Sequence, residues 1–229
     1  SVLDEAPMAS YYLGNFYYDK REYEKAILNW ERCADEKPDF ALSYRNLSIA
    51  YFNKRKDIPQ AKSLIEKAFS LEKDNSRLLL EQDQLYKKAG VSCEERLSVL
   101  ENNRELLDGR DVLFLSYITL LNKNGNYEKA LDLSENHIFH PWEGGEGKVS
   151  GEYKTSLFAL AEAEIKKGNF QKAIELCEKT TVYPDNLGEG KLPNVPDNRA
   201  HYLIGICYKN MGEFDKARKY FTLATSGSS

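Results

Sequence analysis

The stretch Tyr23-Glu24-Lys25-Ala26 decides the fold, because close copies of it recur along the chain. Copies that keep an aromatic residue, a lysine and an alanine stand at 127–130, 170–173 and 214–217, and a weaker copy stands at 58–61. A phrase that returns at long, similar intervals marks a chain built from repeated structural units. The intervals between the copies therefore predict the size of the unit.

The alanine of each copy measures the interval. Ala61 follows Ala26 by 35 residues, and Ala130 follows Ala61 by 69 residues, which is close to two such steps. The later steps lengthen to 43 residues, from Ala130 to Ala173, and to 44 residues, from Ala173 to Ala217. A period of about 34 residues is that of the helix-turn-helix tetratricopeptide repeat (TPR). The chain therefore resembles a TPR protein whose last repeats carry extra loops.

The first unit follows the tetratricopeptide pattern closely. Gly14 and Ala26 are small, so two antiparallel helices can approach each other there, and Trp30 fills the space around the contact. The third unit departs from the pattern, because Glu95-Arg96 stand where the small alanine is expected. We still predict two helices in it, since two apolar stripes of helical spacing fill the long interval between Ala61 and Ala130.

The resemblance predicts an all-α fold, a tetratricopeptide-type right-handed superhelix of about six helix-turn-helix repeats with two long inter-repeat loops. We expect a single array over 1–229, with repeats at about 7–40, 41–75, 76–109, 111–138, 152–181 and 198–224 and loops at 139–151 and 182–197. Because the chain has no initiator methionine and its last repeat runs straight into Ser226-Gly227-Ser228-Ser229, we also expect a fragment of a larger protein.

The composition excludes several classes of function. Charged residues make up 30% of the chain and the formal net charge is −4, so bulk charge attracts neither nucleic acid nor an anionic membrane. No apolar run approaches the roughly 18 residues that cross a bilayer. The four cysteines stand singly, which favours reduced thiols and a cytoplasmic location. We therefore predict no nucleic acid and no membrane among the partners.

The two long loops carry the same short sequence, Gly-Glu-Gly-Lys, at 145–148 and 188–191. These copies are 43 residues apart, which equals the alanine step, so the loops occupy the same phase of consecutive repeats and we expect them to lie side by side. A phosphate-binding P-loop requires Ser or Thr after the lysine, whereas Val149 and Leu192 follow here. We therefore predict no nucleotide site, and no cofactor of another kind.

Two interpretations of the loops stay open. In the first, the glycines supply positive φ in tight turns, and Trp142 and Leu187 cover the ends of helical pairs. In the second, the loops form a surface for a ligand or partner, since an aromatic ring with acids and a lysine suits a sugar or a peptide end. The candidate residues of this surface are His140, Trp142, Glu143, Glu146, Lys148, Glu189 and Lys191.

The loops also extend the resemblance. The stretch from His140 to Lys148 and the stretch from Asn186 to Lys191 are similar to the C-terminal repeat region of large bacterial proteins, over roughly 95–224. In that family a TPR array follows an N-terminal β-rich domain of unknown function with a suspected link to carbohydrate. The resemblance implies architecture more than chemistry.

The concave face, lined by the first helix of each repeat, is where TPR proteins usually hold peptides. The repeat phase puts Tyr11, Asn15, Asn46, Arg77 and Glu81 at the positions of a carboxylate clamp, but Tyr11 replaces a lysine and Glu81 brings a negative charge. Both departures weaken the capture of a carboxylate, so we expect another mode of peptide binding. The candidate groove contacts are Tyr11, Asn15, Tyr18, Arg45, Asn46, Phe52 and Arg77.

No constellation of residues indicates catalysis. The three histidines are too few and too dispersed for a metal site, and no nucleophile stands with a base and an orienting acid. We therefore predict no catalytic residue and no metal, and a non-catalytic scaffold that binds a peptide, a protein or a neighbouring domain of the same chain. The alternative is an accessory repeat region of a carbohydrate-active protein, with the two Gly-Glu-Gly-Lys loops contributing to a sugar-binding surface.

Overall fold

A computed structural model describes residues 2–191 and 195–226. Residue 1, residues 192–194 near the end of the predicted loop at 182–197, and residues 227–229 of the C-terminal Ser-Gly-Ser-Ser stretch lie outside this description. The chain divides into two compact units, 1–113 and 114–229, and each unit has its own buried core.

The first unit is built from three consecutive pairs of helices. These helices are α1 (Val2–Asp19), α2 (Tyr23–Glu36), α3 (Ala41–Ala50), α4 (Ile58–Leu71), α5 (Ser76–Lys88) and α6 (Cys93–Glu101). A π-helical turn over Tyr51–Arg55 extends α3, and a 3-10 helix over Arg104–Gly109 follows α6. Each helix packs against the next one along the chain, so neighbouring pairs share a continuous core.

Six further α-helices follow along the chain. They are α7 (Asp111–Lys123), α8 (Tyr127–Asn136), α9 (Lys148–Lys167), α10 (Phe170–Lys179), α11 (Asn198–Asn210) and α12 (Phe214–Ser226). The two long connections are 137–147, between α8 and α9, and 180–197, between α10 and α11. A 3-10 turn over Asp185–Leu187 lies in the second connection. Helix α9 begins at Lys148, four residues ahead of the repeat predicted from 152.

The structure confirms the predicted fold class. Within 2–191 and 195–226 there are twelve α-helices in six pairs and no strand. The long connections precede the pair α9–α10 and the pair α11–α12, which are the places where the alanine interval lengthens. The prediction of an all-α fold of about six helix-turn-helix repeats with two long loops is therefore confirmed.

Side-chain caps fix several helix starts in the first unit. The Asp57 side chain accepts a hydrogen bond from Gln60 N (3.0 Å) at the start of α4, where Pro59 occupies the first turn. The Ser92 hydroxyl accepts one from Glu95 N (3.1 Å) at the start of α6. Each cap satisfies a backbone N–H that has no partner within its own helix. The turns between helices are therefore specified locally.

The first pair closes on a residue that has no side chain. Gly14 of α1 faces Trp30 of α2, and a Cβ at position 14 would overlap the indole ring. Trp30 is 3% exposed and Ala26 is fully buried beside it. The sixth pair repeats this arrangement, because a Cβ at Gly205 would lie 2.7 Å from Phe221 Cδ1. Small residues on one helix thus make room for a large ring on the other.

We expect Gly14→Ala to lower the free energy of unfolding by about 1–3 kcal/mol, because the added methyl group overpacks against the buried indole. Gly151→Ala is the matched control, since Gly151 also lies in a helix but a Cβ there meets no heavy atom within 4 Å. That control should raise the free energy of unfolding by about 0.5 kcal/mol. Urea unfolding followed by circular dichroism measures both, and equal effects would contradict the packing explanation.

The third pair replaces the small-residue contact with a buried ion pair. Arg96 of α6 donates from Nε and Nη2 to the two carboxylate oxygens of Asp83 on α5, at 2.8 and 2.9 Å. Both residues are at least 95% buried, with Arg96 5% and Asp83 3% exposed. This bidentate pair explains why Glu95-Arg96 occupies the place of an alanine, since the longer side chain reaches a partner across the helix pair.

The turn between α9 and α10 is tied together by a carboxylate. Glu164 accepts hydrogen bonds from Asn169 Nδ2 (2.7 Å) and from Lys167 Nζ (2.9 Å), and Lys172 Nζ lies 3.4 Å away. The hydrogen bond from Asn169, followed by that from Lys167, lowers the pKa of Glu164 to about 2. A depressed pKa means that the folded state favours the ionised carboxylate.

The low pKa of Glu164 predicts an acid-sensitive contribution to stability. That contribution is fully present above the ordinary pKa of 4.5 and disappears as the pH falls to about 2. The stability difference between wild type and Glu164→Gln should therefore shrink across this window in urea unfolding. Gln171→Ala serves as the control, because Gln171 is exposed on α10 and carries no ionisable group, so its stability difference should stay constant. A Glu164→Gln difference that is independent of pH would contradict the prediction.

Candidate functional site

The two long loops lie against each other in the second unit. Phe139 N donates to the carbonyl oxygen of Asn186 (2.8 Å), so the first loop is bonded to the 3-10 turn of the second. The Asn186 side-chain amide donates in return to the carbonyl oxygens of Ser134 and His137, both at 2.8 Å. These bonds place residues about 50 positions apart in direct contact, as the equal phase of the loops predicts.

Gly188 is required where the loops meet. Its φ is +68°, and a Cβ at this position would overlap the carbonyl oxygen of Phe139. A left-handed backbone and a close backbone approach together exclude other residues. Phe139 is 3% exposed and Leu187 is 1% exposed, so the residues where the loops meet are buried.

Glu189 of the second loop caps helix α9, which follows the first loop. Its carboxylate accepts hydrogen bonds from Gly147 N (2.6 Å) and from Ser150 N (2.5 Å), at the start of α9. Gly147 itself has no side chain to serve as a cap, and its φ is +74°. A carboxylate at a helix N-terminus is favoured by the unpaired N–H groups and by the helix dipole. The second loop therefore supplies the cap that the first loop lacks.

A pocket of about 310 Å³ opens between the two loops, and apolar atoms form most of its wall. The Trp142 ring lies over Gly145, where a Cβ would be 2.5 Å from the indole, so the glycine lets the ring lie flat against the backbone. The pocket is lined by His140, Pro141, Trp142, Gly145, Glu146, Gly147, Val149, Ser150, Tyr183, Leu187, Gly188, Glu189, Gly190 and Val195. We call it the loop pocket.

The structure brings together four of the seven predicted loop residues. These four line the loop pocket: His140, Trp142, Glu146 and Glu189. Glu143 and Lys148 are exposed and do not line it. Lys191 is held within its own loop, where its Nζ donates to the carbonyl oxygen of Thr181 (3.2 Å) and to Asp197 Oδ2 (2.5 Å).

Sequence reasoning missed Tyr183 and Val149 as pocket residues. Lys154 Nζ donates to the Tyr183 hydroxyl (2.9 Å), which fixes the ring at the pocket. Val149 is buried in the first turn of α9. The signal that could have found this geometry is the glycine at 147, because a helix start without a capping side chain needs an acceptor from elsewhere.

We expect Glu189→Ala to lower the free energy of unfolding by about 0.5–2 kcal/mol, the usual cost of losing a helix cap. The amide hydrogens of Gly147 and Ser150 should exchange faster with solvent, because both lose their acceptor. Hydrogen-exchange NMR measures this at each amide. Glu143→Ala is the control, since Glu143 is exposed in the neighbouring loop and should leave both amides unchanged. Unaltered exchange in Glu189→Ala would show that the carboxylate is not the cap.

A second polar assembly begins at Trp30 of α2 and runs along the first helices of the first unit. Trp30 Nε1 donates to Asn15 Oδ1 (3.1 Å), which also accepts from Asn46 Nδ2 (3.0 Å). Arg45 Nη1 in turn donates to Asn46 Oδ1 (3.0 Å). These bonds join α1 and α3 through their facing side chains. We call this row of side chains the groove network.

The groove network continues onto α5. Arg45 donates from Nε (2.6 Å) and Nη2 (2.7 Å) to the two oxygens of Glu81, and Arg77 Nε donates to Glu81 Oε1 (3.0 Å). Burial by itself would raise the pKa of Glu81, but the hydrogen bonds and charge of the two arginines outweigh it and the pKa is lowered. Glu81 is therefore ionised and paired, and the groove does not carry it as an open negative charge.

A cavity of about 220 Å³ lies beside the groove network. It is lined by Arg45, Ser48, Ile49, Phe52, Asn53, Ile65, Glu81, Gln84, Leu85 and Lys88. We call it the groove cavity. Its floor is apolar, from residues such as Ile65 and Leu85, whereas Asn53, Gln84 and Lys88 are exposed at its edge.

The seven predicted groove residues fall into three groups. Asn15, Arg45, Asn46 and Arg77 belong to the groove network, and Arg45 and Phe52 line the groove cavity. The other two, Tyr11 and Tyr18, pack in an aromatic cluster. The Tyr11 ring lies 5.0 Å from Phe40 and the Tyr18 ring 5.5 Å from Trp30, measured between centroids.

Residues 2–191 and 195–226 contain no group of three or more His, Cys, Asp or Glu side chains placed to hold a metal ion. None of their helices combines the length and apolar character that crossing a membrane requires. His137, three residues before His140, stacks on Phe114 with a distance of 3.8 Å between ring centroids and an interplanar angle of 13°.

Comparison with known proteins identifies the repeat. A family described as tetratricopeptide repeat matches residues 199–226, which span α11 and α12. The solved structure of YrrB, described as a TPR protein with an unusual peptide-binding site, is 18% identical with a TM-score of 0.53. The match covers 77% of this chain and 86% of YrrB.

Two other similar structures cover more of the chain or of the neighbour. Pseudomonas aeruginosa pilF is 17% identical over 96% of this chain and 90% of that protein, with a TM-score of 0.47. MamA from Desulfovibrio magneticus RS-1 is 18% identical over 81% of this chain and 93% of that protein, also with a TM-score of 0.47. 

The repeat match and the YrrB likeness agree with the helix pairs described above, so the chain has the tetratricopeptide repeat fold. The resemblance to large bacterial proteins with an N-terminal β-rich domain receives no support. Since residues 2–191 and 195–226 contain no strand, nothing in them corresponds to a β-rich domain.

Proposed function

We propose that this protein is a non-catalytic interaction module that binds an extended peptide segment of a partner protein across the first helices of its first unit. The observation that carries the proposal is the groove network, which joins side chains of three successive first helices, α1, α3 and α5, beside an open cavity. A neighbouring domain of the same chain could supply such a segment as well as a separate protein.

The groove network favours binding because it orders the groove side chains in advance. Arg45 is fixed at three of its nitrogens, two by Glu81 and one by Asn46. Asn46 uses both ends of its amide, toward Arg45 and Asn15. A surface whose side chains are already immobile loses less conformational entropy when a ligand binds.

The residues at the groove cavity suggest the chemistry of the ligand. Phe52, Ile65 and Leu85 can receive an apolar side chain, while Asn53 and Gln84 can pair with the backbone of an extended peptide. A terminal carboxylate is a poorer fit, because Arg45 and Arg77 are both already paired with Glu81. We therefore propose recognition of an internal segment that carries a hydrophobic residue.

The neighbour of known description supports the same class of function. YrrB is described as a TPR protein with an unusual peptide-binding site, and it shares the fold of this chain. The fold brings the first helices of successive repeats onto one face, which is the property that a linear peptide needs.

A reducing compartment such as the bacterial cytoplasm suits the cysteines. All four are unpaired, and Cys33, Cys177 and Cys207 are buried. Burial raises the pKa of Cys177 to about 12, so its thiol stays protonated and unreactive at neutral pH. We propose a cytoplasmic location on this basis.

The alternative of a sugar-binding surface on the two loops is weaker. The lysines of the two Gly-Glu-Gly-Lys copies, Lys148 and Lys191, do not line the loop pocket. Both oxygens of Glu189 accept backbone N–H groups, so its carboxylate is largely engaged. Sugar hydroxyls need several open hydrogen-bonding side chains at one place, and we therefore do not put this function forward.

Selection from a random-peptide phage library on the purified protein tests the proposal. Enriched peptides should share a hydrophobic position, and fluorescence polarisation with synthetic copies gives their Kd. Gln84→Ala should weaken binding about two- to tenfold, the worth of one hydrogen bond.

Gln60→Ala is the matched control for that variant. Gln60 is an exposed glutamine of α4 and does not line the groove cavity, so binding should stay unchanged. The proposal is wrong if no peptide is enriched above a selection on an unrelated helical protein. It is also wrong if the two variants lose affinity equally.

A further inference from the structure

We propose that the loop pocket of the second unit is a second binding site, for a hydrophobic side chain of a partner segment that carries a lysine or arginine next to it. The described residues that line the pocket belong to the two long loops and to the start of α9. This proposal does not depend on the groove of the first unit, because no residue of that groove lines the loop pocket.

The loop pocket is built in advance. Its two loops are joined by the backbone bond from Phe139 to Asn186 and by the side-chain bonds of Asn186. Glu189 locks the second loop onto the start of α9. Binding sites for small groups are usually preformed concave pockets with volumes that begin near 300 Å³. At about 310 Å³ the loop pocket matches the space for one large side chain rather than for a folded element.

The walls of the pocket select an apolar group. Trp142 and Tyr183 present rings, and Val149, Leu187 and Val195 add aliphatic surface. The polar atoms among the lining residues are largely committed, since the Tyr183 hydroxyl accepts from Lys154 and the Glu189 carboxylate accepts from two backbone N–H groups. An apolar side chain can therefore enter without leaving these polar groups unpaired.

The charges around the pocket select a basic neighbour for that side chain. Glu146 lines the pocket and is exposed, and Glu143 is exposed in the same loop. Three lysines lie near the pocket but do not line it. Lys191 is paired with Asp197, Lys154 donates to the Tyr183 hydroxyl, and Lys148 is exposed at the start of α9. A lysine or arginine beside the bound side chain would meet Glu146, and its cation could also lie over the Trp142 ring.

The indole N–H signals of the protein provide a direct test. The chain has two tryptophans, so a 15N-labelled sample gives one indole signal from the loop pocket, Trp142, and one from the first unit, Trp30. The probe is the peptide acetyl-Gly-Gly-Phe-Lys-Gly-Gly-amide, and its partner carries Glu in place of Lys. We expect the lysine peptide to shift the Trp142 signal with a Kd of about 1 mM or tighter, at least twofold tighter than the glutamate peptide.

Two pairs of variants locate the interaction. Glu146→Gln should weaken the lysine peptide about two- to fivefold, whereas Glu143→Gln, the same change one step outside the pocket, should have less effect. Gly190→Leu should reduce binding of both peptides by filling the pocket, since Gly190 lines it and a Cβ there meets no atom within 4 Å. Gly151→Leu makes the same change at an unhindered position outside the pocket and should leave binding unchanged.

Several results would overturn the proposal. A Trp142 signal that does not move with either peptide up to about 1 mM would exclude the site. Equal affinity for the lysine and glutamate peptides would exclude the basic neighbour. A saturable shift of Trp142 with cellobiose or N-acetylglucosamine, and none with the peptides, would identify a sugar site instead. Movement of the Trp30 signal alone would report on the groove of the first unit and would also overturn a peptide site in the loops.

Discussion

The close approach of paired helices at positions without a Cβ is the constraint on which the rest of the structure depends. At Gly14 the Trp30 indole takes the space of the missing side chain, and at Gly205 the Phe221 ring does the same. Because Trp30 is held there, its indole N–H reaches Asn15 and begins the chain of bonds that crosses the first helices. The packing of the hydrophobic core thereby orders a polar surface.

The groove and the loop pocket follow a common design, in which charged groups are first satisfied by the protein itself. Glu81 is paired with two arginines in the groove, and Glu189 is bonded to two backbone N–H groups between the loops. Such internal pairing offsets the cost of partly burying these charges. We propose both the groove and the loop pocket as binding surfaces.

The periodicity of the alanines was enough to predict the fold class, because five of the six helix pairs keep a buried alanine at the same place and the helix pairs follow from that packing. The equal phase of the two Gly-Glu-Gly-Lys copies was enough to predict that the loops lie together. The roles within the site could not be predicted in this way. Glu189 accepts a hydrogen bond from Gly147 N, which only the folded chain brings close to it. Lys191 pairs with Asp197 of its own loop. A short motif fixes which residues are present, but their partners depend on how the loop turns.

The cap that Glu189 provides has a consequence for synthesis on the ribosome. Its acceptor oxygens lie 42 and 39 residues after the N–H groups that they bind. Helix α9 therefore emerges from the ribosome before the loop that carries its cap, and its first turn stays open until the second loop emerges and folds back. The start of this helix and the closure of the loop pocket become one late event in biogenesis, which couples the order of translation to the appearance of the site.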